Sequence, residues 1–402
     1  MLCAYVIPYP MMRFQSYFNT AISLIQGYNG SQPLVHYLKA YFAQEKKHGA
    51  KDRKYISHLC YSYYRLGHAL KELSVKDRLK IALFFAEKAP GYWSGLYKPD
   101  WVKNWNEQLE QRIAFVEQLY PVFSIQHIYP WKEEISAGID IPALSIGEFT
   151  QPDLFIRIRP GFENVVRSKL KDAEIAFQEL SEATLALPNG TKLDNVLEID
   201  QEAVIQDLNS QRVRLLFPVL EGSNLRVWDC CAASGGKSIL TYDHLKQDFS
   251  LTVSDARNSI LHNLKQRFSR AGIERYESFI ADLSVSTFAF NGEPYDLVIC
   301  DAPCTGSGTW SRTPEQLAFF STDKITLYTT LQRKISQNVA KAVKPGGYLM
   351  YITCSLFRRE NEEIVKQLLE ENDTLELVMQ QLMTGYHQKS DTMFAALLKR
   401  KV

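Results

Sequence analysis

The sequence predicts an α/β protein: a doubly wound, mostly parallel sheet in its C-terminal half, a small α+β module before it, and a helical N-terminal domain. Three observations carry this. From about residue 216 onward, apolar strand-like runs alternate with helical segments. An aspartate closes three of those runs in turn, in VSD, IAD and ICD. Between Lys39 and Lys88 twelve Lys/Arg stand against five Asp/Glu, with aromatics interleaved at helical spacing in KYISHLCYSYYRLGHALKEL.

At 402 residues and 46% hydrophobic content the chain can bury a substantial core, and about 150 residues per domain gives two or three domains. The start, MLCAYVIPYPMMRFQS, lacks a basic segment leading into a long apolar stretch, and no run approaches the roughly 20 apolar residues of a membrane span. A cytoplasmic monomer without membrane contact is expected. Cys3, Cys60, Cys230, Cys231, Cys300, Cys304 and Cys354 form an odd set with no CxxC pair, which argues for reduced thiols. The net charge of +1 announces no polyanion, so any basic face has to come from local clusters.

The domains read in order. Residues 1–130 form a helical, locally basic domain, and 131–150, rich in Pro and Gly around PWKEEISAGIDIPALSIGEF, a linker. Residues 151–215 form the small module: LFIRIR alternates like a half-buried strand, FENVVRSKLKDA is a short helix, and TLALP and VLEID are strands. Arg157, Arg159, Arg167, Lys169 and Lys171 make it basic. Residues 216–402 carry the sheet: LRVWDC, SLTVSDA, SFIAD, YDLVICDAP, GGYLMYITCS and MFAALLKRK as strands, with helices between, the longest running to Val343.

The first of these strands ends in WDCCAASGGKS, a turn of small residues opening a helix, so backbone N–H groups can approach a ligand closely. A phosphate-binding loop requires Gly-x4-Gly-Lys-Ser/Thr, but five before Gly236 stands Cys231, and GxGxxG is absent as well. Asp255, Asp282 and Asp301 instead fall at successive strand ends, where ligands of open α/β sheets bind. Asp255 lies 26 residues after Asp229 (255 − 229), a spacing suited to an acid on ribose hydroxyls. A loop for a methionine moiety, an acid for the ribose and an acid for the adenine amino group suit S-adenosylmethionine.

Cys304 follows the fourth strand and Cys354 the next, 50 residues on (354 − 304), so neighbouring strands bring both thiols to one sheet edge. Methylation at carbon 5 of a pyrimidine uses such a thiol: a thiolate adds at carbon 6 and makes carbon 5 nucleophilic. A second thiol, or water beside it, can assist product release. Nearby positive charge should lower the thiol pKa, and Lys237 is the candidate. A zinc site from Cys230, Cys231, Cys304 and Cys354 is the competing reading, opposed by the adjacency of the first two; no metal is expected. Cys300 and Cys60 read as core.

Together these motifs resemble the Fmu/Sun (RsmB-like) family of RNA cytosine-C5 methyltransferases. DCCAASGGKS is similar to its D-x-CAAPGGK-T loop, DAPCTGSG to its DAPCSG-x-G, ITCSLFRRENEEIV to its TCS-(x)n-EN-E segment, and AVIQDLNSQRV to its VQD-x-ASQ segment. LCYSYYRLG more weakly resembles a NusB-like helical domain. The resemblance covers about residues 150–402 and implies a Rossmann-like methyltransferase sheet. It implies Cys354 as the nucleophile, Cys304 as the release thiol and Asp301 near cofactor and cytosine. It likewise implies that Cys231, Ala232, Ala233, Ser234, Gly235, Gly236 and Lys237, with Asp255, Asp282 and Asp301, hold S-adenosylmethionine. Ser234 stands where the family has Pro, and Thr305 where it often has Ser.

The expected activity is therefore S-adenosylmethionine-dependent methylation of cytosine carbon 5 in RNA, with ribosomal RNA as the partner the resemblance favours. Arg157, Arg159, Arg167, Lys169 and Arg312 are the expected RNA contacts. Other readings are a tRNA or DNA cytosine methyltransferase, the latter with Cys304 attacking, and a non-catalytic RNA-binding protein of ribosome assembly. Amino-group methylation ranks lower, because Asp301-Ala302-Pro303-Cys304 lacks the aromatic that stacks its target base.

Overall fold

The computed structural model describes residues 9–245, 248–285, 290 and 292–402, so Cys3 lies outside the described residues. The chain runs through helices α1 (Tyr9–Gly27), α2 (Leu34–Gln44), α3 (Ala50–Arg65), α4 (Val75–Ala86), α5 (Pro99–Lys103), α6 (Leu109–Leu119) and α7 (Ile141–Gly147). There follow β1 (Leu154–Ile158), α8 (Glu163–Asp172), β2 (Gln178–Ser181), β3 (Thr184–Leu187), β4 (Ala203–Ile205) and α9 (Leu208–Arg212). The C-terminal part comprises β5 (Leu225–Asp229), α10 (Gly236–His244), β6 (Phe249–Asp255), α11 (Asn258–Arg270), β7 (Tyr276–Ile280) and β8 (Tyr295–Asp301). It ends with α12 (Pro314–Ala318), α13 (Asp323–Ala340), β9 (Val343–Thr353), α14 (Glu362–Glu370), β10 (Leu375–Met383) and β11 (Met393–Arg400). None of the described helices is long and apolar enough to cross a membrane.

The chain divides into two compact units. Of the described residues, the helical unit comprises 9–133, 140–151 and 310–320. Its α3 buries Ile56, Leu59, Cys60 and Tyr64 on one face, which is the periodicity the sequence shows there. The stretch 131–150 that reads as a linker contains α7, whose first turn Asp140 caps by accepting the Ala143 N–H at 3.0 Å. Residues 310–320 sit between two strands of the C-terminal sheet in sequence but are built into this unit. Glu315 accepts the Leu34 N–H at 3.2 Å, and Arg65 donates to the Ser311 carbonyl at 3.1 Å.

The second unit holds two sheets. Four antiparallel strands in the order β2-β3-β1-β4 form the small module, with Val166 and Leu170 of α8 packed on Ile156, Ile158, Leu185 and Leu187. VLEID is not a strand: Leu197 is buried, the chain turns at Asp200 with φ +74°, and the pairing falls to β4 instead.

The larger sheet has the order β10-β11-β9-β8-β5-β6-β7, parallel from β9 to β7, with β10 and β11 antiparallel at one edge. Successive residues alternate between its two faces. Val227, Leu297, Ile299, Met350 and Ile352 belong to one core, and Trp228, Val298, Cys300, Leu349 and Tyr351 to the other. This is the α/β, Rossmann-like sheet expected. β10 escapes sequence reading because only its ends, Leu375 and Met383, are buried.

Candidate functional site

The site grows from β5, which pairs with β6 on one side and β8 on the other, so the chain order reverses across it. Beyond Asp229 the backbone stays tied to both neighbours: the Cys230 N–H donates to Ile299 O and the Ala232 N–H to Ser254 O, each at 2.9 Å. Gly235 turns the chain into α10 with φ +83°, and a Cβ there would stand 2.7 Å from the Phe268 ring. Only glycine meets both conditions. Ser234, in the position of the family's proline, accepts from the Arg267 guanidinium at 3.0 Å through both its hydroxyl and its carbonyl. The loop is thus held by a side chain where a pyrrolidine ring is missing.

Asp229 is fully buried. Ser238 donates to its Oδ2 at 2.6 Å while Oδ1 has no partner among the described residues, and burial pushes this carboxyl up to about 7.

The three strand-end acids lie where expected along the sheet edge. Asp255 accepts the Ala233 N–H at 3.1 Å, so it fastens the loop. It also holds the Arg257 guanidinium at 3.0 and 3.2 Å. Burial works to raise its carboxyl, but Arg257 and the backbone donors bring it below the ordinary range. Asp282 is exposed and takes the hydroxyl and N–H of Ser284 at 2.6 and 2.9 Å, which lowers it. Asp301 is half-buried beside Lys237, whose Nζ lies 3.2 Å from Asp301 Oδ2 and 2.7 Å from Ser210 Oγ.

β8 and β9 bring Asp301 opposite Ile352, and the chains leave the sheet side by side. Their thiols meet: Cys304 Sγ and Cys354 Sγ are 3.3 Å apart. A buried carboxylate ties the two loops together. Glu360 accepts the Thr305 N–H at 2.9 Å and its hydroxyl at 2.6 Å, Gln332 Nε2 at 3.0 Å, and the Ser355 hydroxyl. Asn361 adds a bond from Nδ2 to Ser355 O at 2.9 Å. Each cysteine therefore has a neighbour anchored to one carboxyl.

One expectation about charge is corrected here. Cys354 is held above the ordinary thiol range, by the bond to Cys304, by burial, and by the nearby negative charge of Asp301 and Asp391. Lys237, the expected source of positive charge, pairs instead with Asp301 at 3.2 Å and donates to Ser210 Oγ at 2.7 Å.

The expected RNA contacts fare unevenly. Arg157 and Arg159 are buried, 3% and 8% exposed, and both pair with Asp243 on α10. Arg159 also donates to the carbonyls of Asp200 and Ala271 at 3.1 and 2.6 Å. These two arginines bind the small module to the sheet rather than face a polyanion, and the alternation of LFIRIR concealed this because a buried carboxylate lies opposite. Arg167 pairs with Glu179 at 3.2 Å and Lys169 with Glu202 at 2.7 Å. Arg312 is half-buried within the helical unit.

The zinc set weighed from sequence does not converge. Among the described residues the cluster of potential ligands is Cys230, Cys231 and Cys300, while Cys304 and Cys354 pair with each other. Cys60 is buried in α3 as expected. Glu360, Asn361 and Ser210 are the site residues that residue-level reading left without roles; the acidic ENEE run after TCS was the available signal.

Residues 217–399 match the family described as 16S rRNA methyltransferase RsmB/F. Among curated proteins, ribosomal RNA small subunit methyltransferase B of Xanthomonas campestris is 28% identical over 227 residues, 53% of this chain and 51% of that protein. The tRNA (cytosine(72)-C(5))-methyltransferase NSUN6 of Mus musculus is 30% identical over 203 residues, 48% of this chain and 41% of that protein. The chain thus spans about half the length of the curated relatives it matches. The crystal structure of PH0851 shares the fold over 98% of this chain and 99% of its own, with a TM-score of 0.68 at 20% identity.

Proposed function

We propose, from the match of residues 217–399 to the family described as 16S rRNA methyltransferase RsmB/F, that the protein methylates carbon 5 of a cytosine in RNA, ribosomal RNA being the substrate class, through a covalent cysteine adduct. The observation that carries this reading is the 3.3 Å approach of Cys304 and Cys354 beside Asp301.

The residues around β5 fit S-adenosylmethionine. The turn from Cys231 through Gly235 offers backbone N–H groups at the start of α10, and no Cβ intrudes at Gly235 or Gly236. Asp255, Asp282 and Asp301 supply acceptors in a row along the edge for ribose and adenine donors. Arg257, 62% exposed on its side chain, has room to swing off Asp255 and leave that carboxylate to ribose hydroxyls. The bound cofactor supplies an electrophilic methyl group.

Cys354 supplies the nucleophile. Its Sγ bonds to carbon 6 of the cytosine, and the ring electrons moved to carbon 5 take up the methyl group. Its thiol proton leaves to water before the attack, and Cys304, a thiol within 3.3 Å, donates to the thiolate left behind. Carbon 5 then gives up its proton to a base at the Cys304 side, the carbon 6–sulfur bond breaks, and its electron pair returns to Cys354. Asp301, held by Lys237 at 3.2 Å, would face both cofactor and base and accept a hydrogen bond from the cytosine amino group. Glu360 keeps both thiol loops in register through Thr305 and Ser355.

Methyl incorporation from labelled S-adenosylmethionine into structured RNA, with DNA of the same sequence as competitor, tests the proposal. RNA labelling that Cys354→Ala abolishes supports it. Full labelling by Cys354→Ala, or preference for DNA, overturns it.

A further inference from the structure

Three thiols gather apart from the Cys304–Cys354 pair. Cys230 follows β5 and Cys300 lies in β8; the register Asp229↔Ile299 sets them opposite each other. Both point into the core shared by Trp228, Val298 and Tyr351, where they are 1% and 0% exposed. Cys231, half-buried at the start of the loop, turns toward the same point. The three Sγ atoms all lie within 4.8 Å of one another, with no carboxylate or imidazole in the group.

Soft ligands of this kind select soft ions, and charge narrows the choice. Zinc requires four ligands and would leave three thiolates with a net negative charge. A monovalent ion would leave a larger one. Net charge is costly in this interior, more so beside Asp229, a buried acid adjoining Cys230 in the chain. A three-coordinate trivalent ion leaves none.

We propose that Cys230, Cys231 and Cys300 form a three-thiol binding site for a soft trivalent element of the arsenic(III) class. The exchange balances without any oxidant: arsenous acid loses its three hydroxyls, each thiol loses its proton, three arsenic–sulfur bonds form and three waters leave. Arsenic stays trivalent and the product is neutral. Cys231, the most accessible of the three, is the point of entry, and occupancy fixes the loop that begins there.

Native mass spectrometry of the reduced protein with arsenite tests this, in a Cys304→Ser/Cys354→Ser background that removes the competing dithiol. The expected adduct adds one arsenic and loses three hydrogens. Cys230→Ser or Cys300→Ser should abolish that species, leaving at most an adduct that retains a hydroxyl. Should those variants unfold, a Cys3→Ser/Cys60→Ala/Cys304→Ser/Cys354→Ser protein keeps only the three thiols, and X-ray absorption should find three sulfurs on each arsenic. An adduct retaining a hydroxyl in the background protein, no adduct at all, or a three-thiol adduct indifferent to Cys230→Ser and Cys300→Ser overturns the proposal.

Discussion

Glu360 accepts the backbone N–H of Thr305 at 2.9 Å, across 55 residues of sequence, and so fixes the turn that presents Cys304. The same carboxyl takes the hydroxyls of Thr305 and Ser355 and the amide of Gln332. Glu360→Ala leaves these buried donors without their acceptor, each loss costing about 1–3 kcal/mol. Thermal unfolding should show a loss of several kcal/mol in stability. Glu360→Gln should fold better yet methylate more slowly, since an amide cannot accept from all of these donors. A Glu360→Gln protein with unchanged kcat would show that the two thiol loops hold their register without it.

Gly235 and Gly236 make a paired control for the cofactor loop. At Gly235 the backbone has φ +83° and a Cβ would press on Phe268 at 2.7 Å, whereas a Cβ on Gly236 meets nothing within 4 Å. Gly235→Ala should lose at least about 1 kcal/mol from the conformation alone and weaken S-adenosylmethionine binding. Gly236→Ala should keep wild-type stability. Calorimetric titration with cofactor, beside a melting curve of each variant, reads both effects.

The buried carboxyl of Asp229 gives stability a pH dependence of known sign. Its folded value, about 7, lies above the ordinary carboxyl near 4, so between those limits the folded chain holds a proton that the unfolded chain has released. Its contribution therefore falls as pH rises from about 4 to about 7, by up to about 1.4 kcal/mol per pH unit. Asp229→Asn removes that slope. Urea unfolding at pH 5 and pH 7 should show the difference in stability between variant and wild type shifting in the variant's favour at the higher pH.

Asp243 holds two buried arginines, Arg157 and Arg159, so its removal should act on folding rather than on RNA. Asp243→Ala strands both cations, a change on the scale of about 3–5 kcal/mol. RNA affinity measured where the variant stays folded should keep its salt dependence. A shallower salt slope would return these arginines to the RNA surface.

Much of this architecture was legible in the sequence because strands β5, β6, β8 and β9 are apolar runs ending in Asp or in a Cys-bearing turn. Their alternation with amphipathic helices implies a mostly parallel, doubly wound sheet and puts Asp255, Asp282, Asp301, Cys304 and Cys354 at strand ends along one edge. What stayed hidden depended on partners distant in sequence. Arg157 and Arg159 look like a basic surface until Asp243 is placed beside them. The stretch 310–320 falls within the domain read as 216–402, yet Glu315 accepts the Leu34 N–H at the start of α2. β10 carries too few buried side chains for a period to appear. Cys300 looked like ordinary core because its clustering with Cys230 and Cys231 depends on the β5–β8 register.

The direct test of the thiol assignment is trapping of an enzyme–RNA adduct that survives denaturation, followed on gels across pH. Because Cys354 is held above the ordinary thiol range, adduct formation should rise steadily from pH 7 toward pH 9 without a plateau. In the presence of S-adenosylmethionine, Cys304→Ala should accumulate the adduct and Cys354→Ala should form none. Accumulation in Cys354→Ala with none in Cys304→Ala would contradict the assignment and make Cys304 the attacking thiol.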